Sequence, residues 1–316
     1  MESPAPSGQQ WTIRSGEHEA VLVEVGGGVR AYRVGETDVV YGYAEKELCP
    51  GSAGTVLAPW PNRIRDGRYT YAGEAYQLNL TEPARHNAIH GLVNWSRWRL
   101  ASQQADEVTL DCELVPVPGY PWPLSLRTTW QVGPDGLRAT HEATNLCSTP
   151  APFGLATHPY VVIPGVAVDD LTVRIPGRVR LLLDARLLPI GAARVSGTEH
   201  DLTEGRRIGA SVYDVAYGDL MREADGGSSV SLQAEDGRSV DVWADATFAW
   251  WQIFTSDTLS GPRHRAAVAI EPMTCPADAF RSGRDLITLE PGQTWRGSWG
   301  IRASGLAAQR PTAQAA

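Results

Sequence analysis

The chain has 316 residues with 28 basic and 36 acidic side chains, a formal net charge of −8, and every basic residue except Lys46 is arginine. That balance, without a long basic tract, argues against a phosphate backbone as partner. A hydrophobic content of 42% beside 20% charged residues describes a chain able to bury a full core. Apolar stretches such as Tyr160 to Val168 are much shorter than the ~20 residues a membrane helix needs. Met1-Glu2-Ser3-Pro4 places an acid where a leader peptide carries cations. The four cysteines show no CxxC spacing and read as free thiols in a reducing compartment. The expectation is a cytoplasmic protein that binds neither nucleic acid nor membrane.

In chain order, residues 1–9 offer nothing to bury and read as a frayed tail. One domain is expected over residues 10–304, since no linker or change of composition divides it. Val108, Leu110, Cys112 and Leu114 alternate with Thr109, Asp111 and Glu113, the period of a half-buried strand. Leu124 to Val132 repeats the alternation. A Gly133-Pro134-Asp135-Gly136 turn then leads into Leu137 to Asn145, which makes a hairpin. Val230–Gln233 and Ser239–Trp243 form a second hairpin around Glu235-Asp236-Gly237. Ala266 to Ile270 reads as a strand that stops at Pro272, because proline cannot extend a central ladder. Residues 305–316 read as a disordered tail. Thirty-two glycines and 22 prolines favour short elements, and no segment keeps a helical period for three turns. The class is all-β.

Four segments gather polar residues near turns, where function concentrates. They are Ala58 to Gly67, with Asn62 and Arg63 between stiffening prolines; His86 to Gly91; Ala156 to Tyr160; and Ala269 to Pro276. Taken singly, each has a plain explanation as a surface cation, a hydrogen-bonded structural histidine or a solvated rim charge. His86 and His90 share a face only on a helix, and in an extended segment they stand more than ~10 Å apart. No metal is therefore expected. A GxSxG nucleophile elbow and a glycine-rich phosphate loop are absent.

Together, Pro59-Trp60-Pro61-Asn62-Arg63-Ile64, Asn87-Ala88-Ile89-His90-Gly91, His158-Pro159-Tyr160 and Ile270-Glu271-Pro272-Met273-Thr274 resemble the aldose 1-epimerase (galactose mutarotase) family. The resemblance runs from about Gly26 to about Ile301. It implies a large antiparallel β-supersandwich with an open sugar cleft, no cofactor, and a small aldose as partner of a monomer or homodimer. By the same resemblance Glu271 matches the general base, His158 the general acid, and His90 the histidine that holds the sugar near its ring oxygen. Asn62, Arg63, Tyr160, Asp214 and Gln252 match positions that contact sugar hydroxyls. Pro159-Tyr160-Val161-Val162 departs from the Thr-Tyr-Phe-Asn that follows the catalytic histidine in galactose-specific members. The segment after Asp214 also departs, with Val-Ala-Tyr at residues 215–217.

A carboxylate and an imidazole suit the reaction, because opening a cyclic hemiacetal takes a proton from the C1 hydroxyl and gives one to the ring oxygen. The expected activity is interconversion of α and β anomers of a free hexose such as galactose or glucose. A 6-phosphorylated or sulfonated hexose is the alternative; it calls for extra cations, and Arg65, Arg68, Arg97 and Arg99 are candidates. A non-catalytic sugar-binding module is a third reading, disfavoured by the paired acid and base. The 11 tryptophans offer platforms for a sugar's C–H face.

Overall fold

The computed structural model describes residues 4–306. Strands dominate, and the single α-helical segment among the described residues is one turn, Ala279–Ser282. Two large antiparallel sheets, of twelve and nine strands, enclose one continuous apolar core that runs from Trp11 to Leu306. No helix among the described residues is long and apolar enough to cross a membrane.

The hairpins expected from alternation are present. Glu107–Leu114, Leu124–Gly133 and Gly136–Asn145 are neighbours in the nine-stranded sheet. Cys112 faces Leu126 and Gly133 faces Gly136 in register. Ser228–Gln233 pairs with Ser239–Ala244. In each, the inward residues are mostly apolar and the outward ones mostly polar, as expected of a sheet with one solvated face, with Thr128, His141, Asn145 and Ser228 as buried polar exceptions.

The twelve-stranded sheet reads differently. Its central strands Trp250–Phe254 and Val268–Met273 are buried along their whole length. One face, with Trp251, Ile253, Val268 and Ile270, joins the main core. The other face carries Gln252, Phe254, Ala269 and Glu271 and floors a cleft.

Two expectations need correction. Val268–Met273 does not stop at Pro272; it continues through it at the centre of the sheet, with Pro272 opposite Trp251. The amides of Ile270 and Thr274 bond to the carbonyls of Pro159 and Leu155. Pro272, of the same parity, therefore turns its absent N–H toward that neighbour. There the ladder is interrupted between Ala156–Thr157 and Tyr160–Val161, so no rung is lost. His158 occupies the interruption.

The expected domain, residues 10–304, also starts too late and ends too early. Ser7 is buried; its carbonyl accepts from the Val25 amide, and its hydroxyl oxygen accepts from Gln10 Nε2 at 2.9 Å. Leu306 belongs to the core. The remainder of the expected tails, residues 1–3 and 307–316, lies outside the described residues.

Candidate active site

The cleft lies over the twelve-stranded sheet and has a volume of about 220 Å³, below the range typical of drug-sized ligands and suited to a smaller, polar one. All eight residues singled out in the sequence line it: Asn62, Arg63, His90, His158, Tyr160, Asp214, Gln252 and Glu271.

Its floor follows from register. Gln252 lies directly opposite Glu271, and Asp214 lies opposite Phe254, two residues from Gln252 on the same face. Gln252 Nε2 donates to Asp214 Oδ1 at 2.6 Å. One wall comes from Arg63–Arg65 paired with Asn87–Ile89. Asn62 and His90 flank that pair, with the His90 amide bonded to the Asn62 carbonyl at 3.0 Å. Both adopt left-handed backbone, φ 53° and 64°, a conformation that Asn and His tolerate better than most residues and that recurs at functional sites. Gly91 follows at φ 75°, and a Cβ there would stand 2.1 Å from the Ala58 carbonyl oxygen. Glycine is required at this turn.

At the centre, His158 Nε2 stands 3.2 Å from Glu271 Oε1, both side chains almost wholly buried. The Tyr160 ring stacks on His158 at 4.9 Å between centroids, and the His90 ring meets His158 edge-on at 5.5 Å. Burial pushes the His158 imidazole down to about 4, with Arg63 adding to the effect. Burial also holds His90 well below the usual range, helped by His158 and Arg63. It drives Glu271 well above the usual carboxyl range, and Asp214 reinforces that shift. A charged ion pair would move both partners the other way. Both directions favour the uncharged forms, because two charges in so dry a place lose more hydration than they recover.

Three polar atoms here are buried without a partner: Glu271 Oε2, His158 Nδ1 and His90 Nδ1. Buried polar atoms in native proteins are nearly always satisfied. All three residues line the cleft, so hydrogen-bonding capacity that the protein leaves unspent gathers beside it.

Several details refine or correct the sequence reading. None of the tryptophans lines the cleft; its aromatic residues are Tyr160 and Phe254, while Trp60, Trp98, Trp130, Trp250, Trp251 and Trp299 are core. The Tyr160 hydroxyl is already engaged, donating to the Gly51 carbonyl at 3.1 Å. Arg65, Arg68, Arg97 and Arg99 do not line the cleft; Arg65 reaches Asp184, Arg68 reaches Gln77 and Arg97 reaches Glu24. His86 is exposed and bonded to Asp66 at 2.9 Å, apart from His90. Glu82 and Arg85, which also line the cleft, were missed. The available signal was the charged Thr81-Glu82-Pro83-Ala84-Arg85 run just before the Asn87 to Gly91 segment, and no periodicity marks it.

The family profile described as Aldose 1-epimerase matches residues 9–302. The chain is 30% identical over 291 residues to a protein of Escherichia coli (strain K12) named "Uncharacterized protein YihR", covering 92% of each. Among solved structures, a galactose mutarotase-like protein from Clostridium acetobutylicum superposes with a TM-score of 0.82 at 18% identity, over 96% of this chain and 98% of that one. Galactose 1-epimerase from Lactobacillus acidophilus NCFM gives 0.78 at 19% identity, over 93% and 94%.

Proposed function

The chain belongs to the aldose 1-epimerase family, and from that premise we propose that it interconverts the α and β anomers of a free hexose such as galactose or glucose. The observation that carries this reading is the Glu271–His158 contact at 3.2 Å, beside buried, unpartnered polar atoms in a monosaccharide-sized cleft. The reaction moves one proton across this pair, and the hydroxyls of the bound sugar supply the hydrogen bonds that let Glu271 pass it to His158 Nε2. With that proton on His158 Nε2, the Glu271 carboxylate accepts the C1 hydroxyl proton, its unpartnered Oε2 being the free oxygen. His158 gives its proton to the ring oxygen. The C1–O5 bond breaks as the C1 carbonyl forms. Rotation about C1–C2 presents the other face of the aldehyde, and the two proton transfers reverse as the ring closes. His90 holds the ring oxygen in place, while Arg63, Asn62, Asp214 and Gln252 fix hydroxyls through hydrogen bonds, charge-assisted at Arg63 and Asp214. Each positioned acid or base is worth about 10²–10⁴ in rate, so the pair needs neither cofactor nor metal. The reading carries with it a cytoplasmic enzyme, monomeric or homodimeric.

A 6-phosphorylated or sulfonated hexose is the second reading. It is favoured by Arg85, a second guanidinium on the cleft wall whose side chain is 36% exposed. Anomer exchange measured by NMR across free, phosphorylated and sulfonated hexoses tests both. Exchange of the neutral sugars at enzymatic rates supports the first reading, exchange of the anionic ones alone selects the second, and no exchange with any sugar overturns both.

A further inference from the structure

Glu82 stands in the cleft wall, and its carboxylate is fully occupied. Oε2 accepts from Arg63 Nε at 2.9 Å and from Asn87 Nδ2 at 2.9 Å. Oε1 accepts from an Arg63 terminal nitrogen at 3.0 Å and from Arg85 at 3.1 Å. A carboxylate offers about four acceptor positions, so none is left for a substrate hydroxyl. Arg63 has five donors. Two go to Glu82 and a third reaches Asn62 Oδ1 at 3.3 Å, which leaves two on a cleft-lining guanidinium. The carboxylate therefore fixes which edge of Arg63 is spent inside the protein and which faces the ligand.

We propose that Glu82 is a positioning residue: it aims Arg63 at the substrate and offsets the guanidinium charge that Arg63 sets beside the Glu271–His158 pair. The inference rests on the aldose reading of the site. Around Glu271 the cleft is lined by His158 and Tyr160 from the segment crossing the sheet, by Asp214 and Gln252 from the other strands, and by His90, Arg63 and Arg85 from the wall. Arg63 is the cation that draws Glu271 and His158 downward in their titration, and the charge of Glu82 reaches Asp214 with the opposite sign. The backbone of the wall is held independently of this carboxylate. Glu82 and Asn87 exchange backbone hydrogen bonds at 3.0 and 3.2 Å. Arg186, from the turn before Pro189–Arg194, donates to the carbonyls of Arg85 and His86 at 2.8 and 2.7 Å.

The test compares Glu82→Gln with Glu82→Asp. The amide loses the charge and places a donor against Arg63. KM for the aldose should then rise about ten- to hundredfold, the usual worth of a hydrogen bond to a charged group. The Glu271 carboxyl, followed by ¹³C NMR in the free protein, should titrate lower, because the Arg63 charge beside it is no longer offset. Aspartate keeps the charge and loses reach, so KM should rise while the Glu271 titration stays as in the wild type. An unchanged KM in a folded Glu82→Asp variant overturns the proposal, as does an unchanged titration in a folded Glu82→Gln variant. If Glu82→Gln does not fold, the aspartate variant decides by its KM. If the wild type turns over no aldose, the functional reading fails, and the NMR titration still decides the electrostatic part.

Discussion

Each large sheet buries a histidine, and the two are set up in opposite ways. In the nine-stranded sheet, His141 Nε2 accepts from the Trp299 indole N–H at 2.9 Å. Because an indole nitrogen only donates, Nδ1 of the neutral ring carries the proton and donates to Thr128 Oγ1 at 2.8 Å. Both ring nitrogens are satisfied, and burial pushes the ring down to about 3. In the twelve-stranded sheet, His158 is also buried, yet its Nδ1 has no partner and its Nε2 meets the Glu271 carboxyl at 3.2 Å. Burial and a lowered pKa are common to both. What separates the cleft histidine from the structural one is a ring nitrogen left without a partner in a residue that lines a cavity.

The contrast is broken most directly at Glu271. Glu271→Gln should keep the fold and sugar affinity but lower turnover about 10³-fold or more, read by NMR anomer exchange and by sugar titration. Near-wild-type turnover in the folded variant would remove Glu271 as the base.

His158→Asn should lose about 10²–10³ in kcat with KM little changed, as expected when a proton donor acts in the transition state. His90→Asn should raise KM and lower kcat by a smaller factor, about tenfold. Steady-state kinetics showing the reverse split would exchange the roles of the two histidines.

His141→Ala should do the opposite of both. It leaves the Trp299 N–H and the Thr128 hydroxyl unpaired beside a void, at a cost of roughly 3 kcal/mol or more in urea unfolding. Turnover per folded molecule should not change. A kinetic defect in that variant would mean that the nine-stranded sheet acts on the cleft.

The same residues give stability opposite pH slopes. Both imidazoles titrate below their unfolded value of 6.5, so the unfolded chain takes up the extra proton first as pH falls. Stability should drop from pH 6.5 down to about 4 for His158 and to about 3 for His141. Glu271 titrates above its unfolded value of 4.5. The unfolded carboxyl therefore ionises first, and this contribution is lost as pH rises from 4.5 through the folded value. Urea midpoints between pH 4 and 8 check the signs, and Glu271→Gln should flatten the alkaline loss alone. The smallest expected effect is that of a chelator: dialysis against EDTA should leave turnover unchanged, whereas loss restored by one divalent ion would refute the metal-free reading.

Much of this was legible in the residues themselves. Period-two alternation marks Val108 to Leu114, Leu124 to Val132 and Leu137 to Asn145 because one face of each strand meets the core and the other meets water. Glu271 and Gln252 are conspicuous as polar residues within otherwise apolar runs, and their segments, with those of Asn62, His90 and His158, carry the family resemblance. Tertiary structure alone decided the rest. It placed Gln252 opposite Glu271, put His158 in the interruption that lets Pro272 sit in a central strand, and packed the tryptophans into the core. It also brought Glu82 and Arg85 into the cleft, and it satisfied His141 while leaving His158 open. The physical reason is that a strand's face follows from nearest neighbours in the chain, whereas a side chain's hydrogen-bond partners come from segments tens to hundreds of residues away. Local pattern carries no record of those distances.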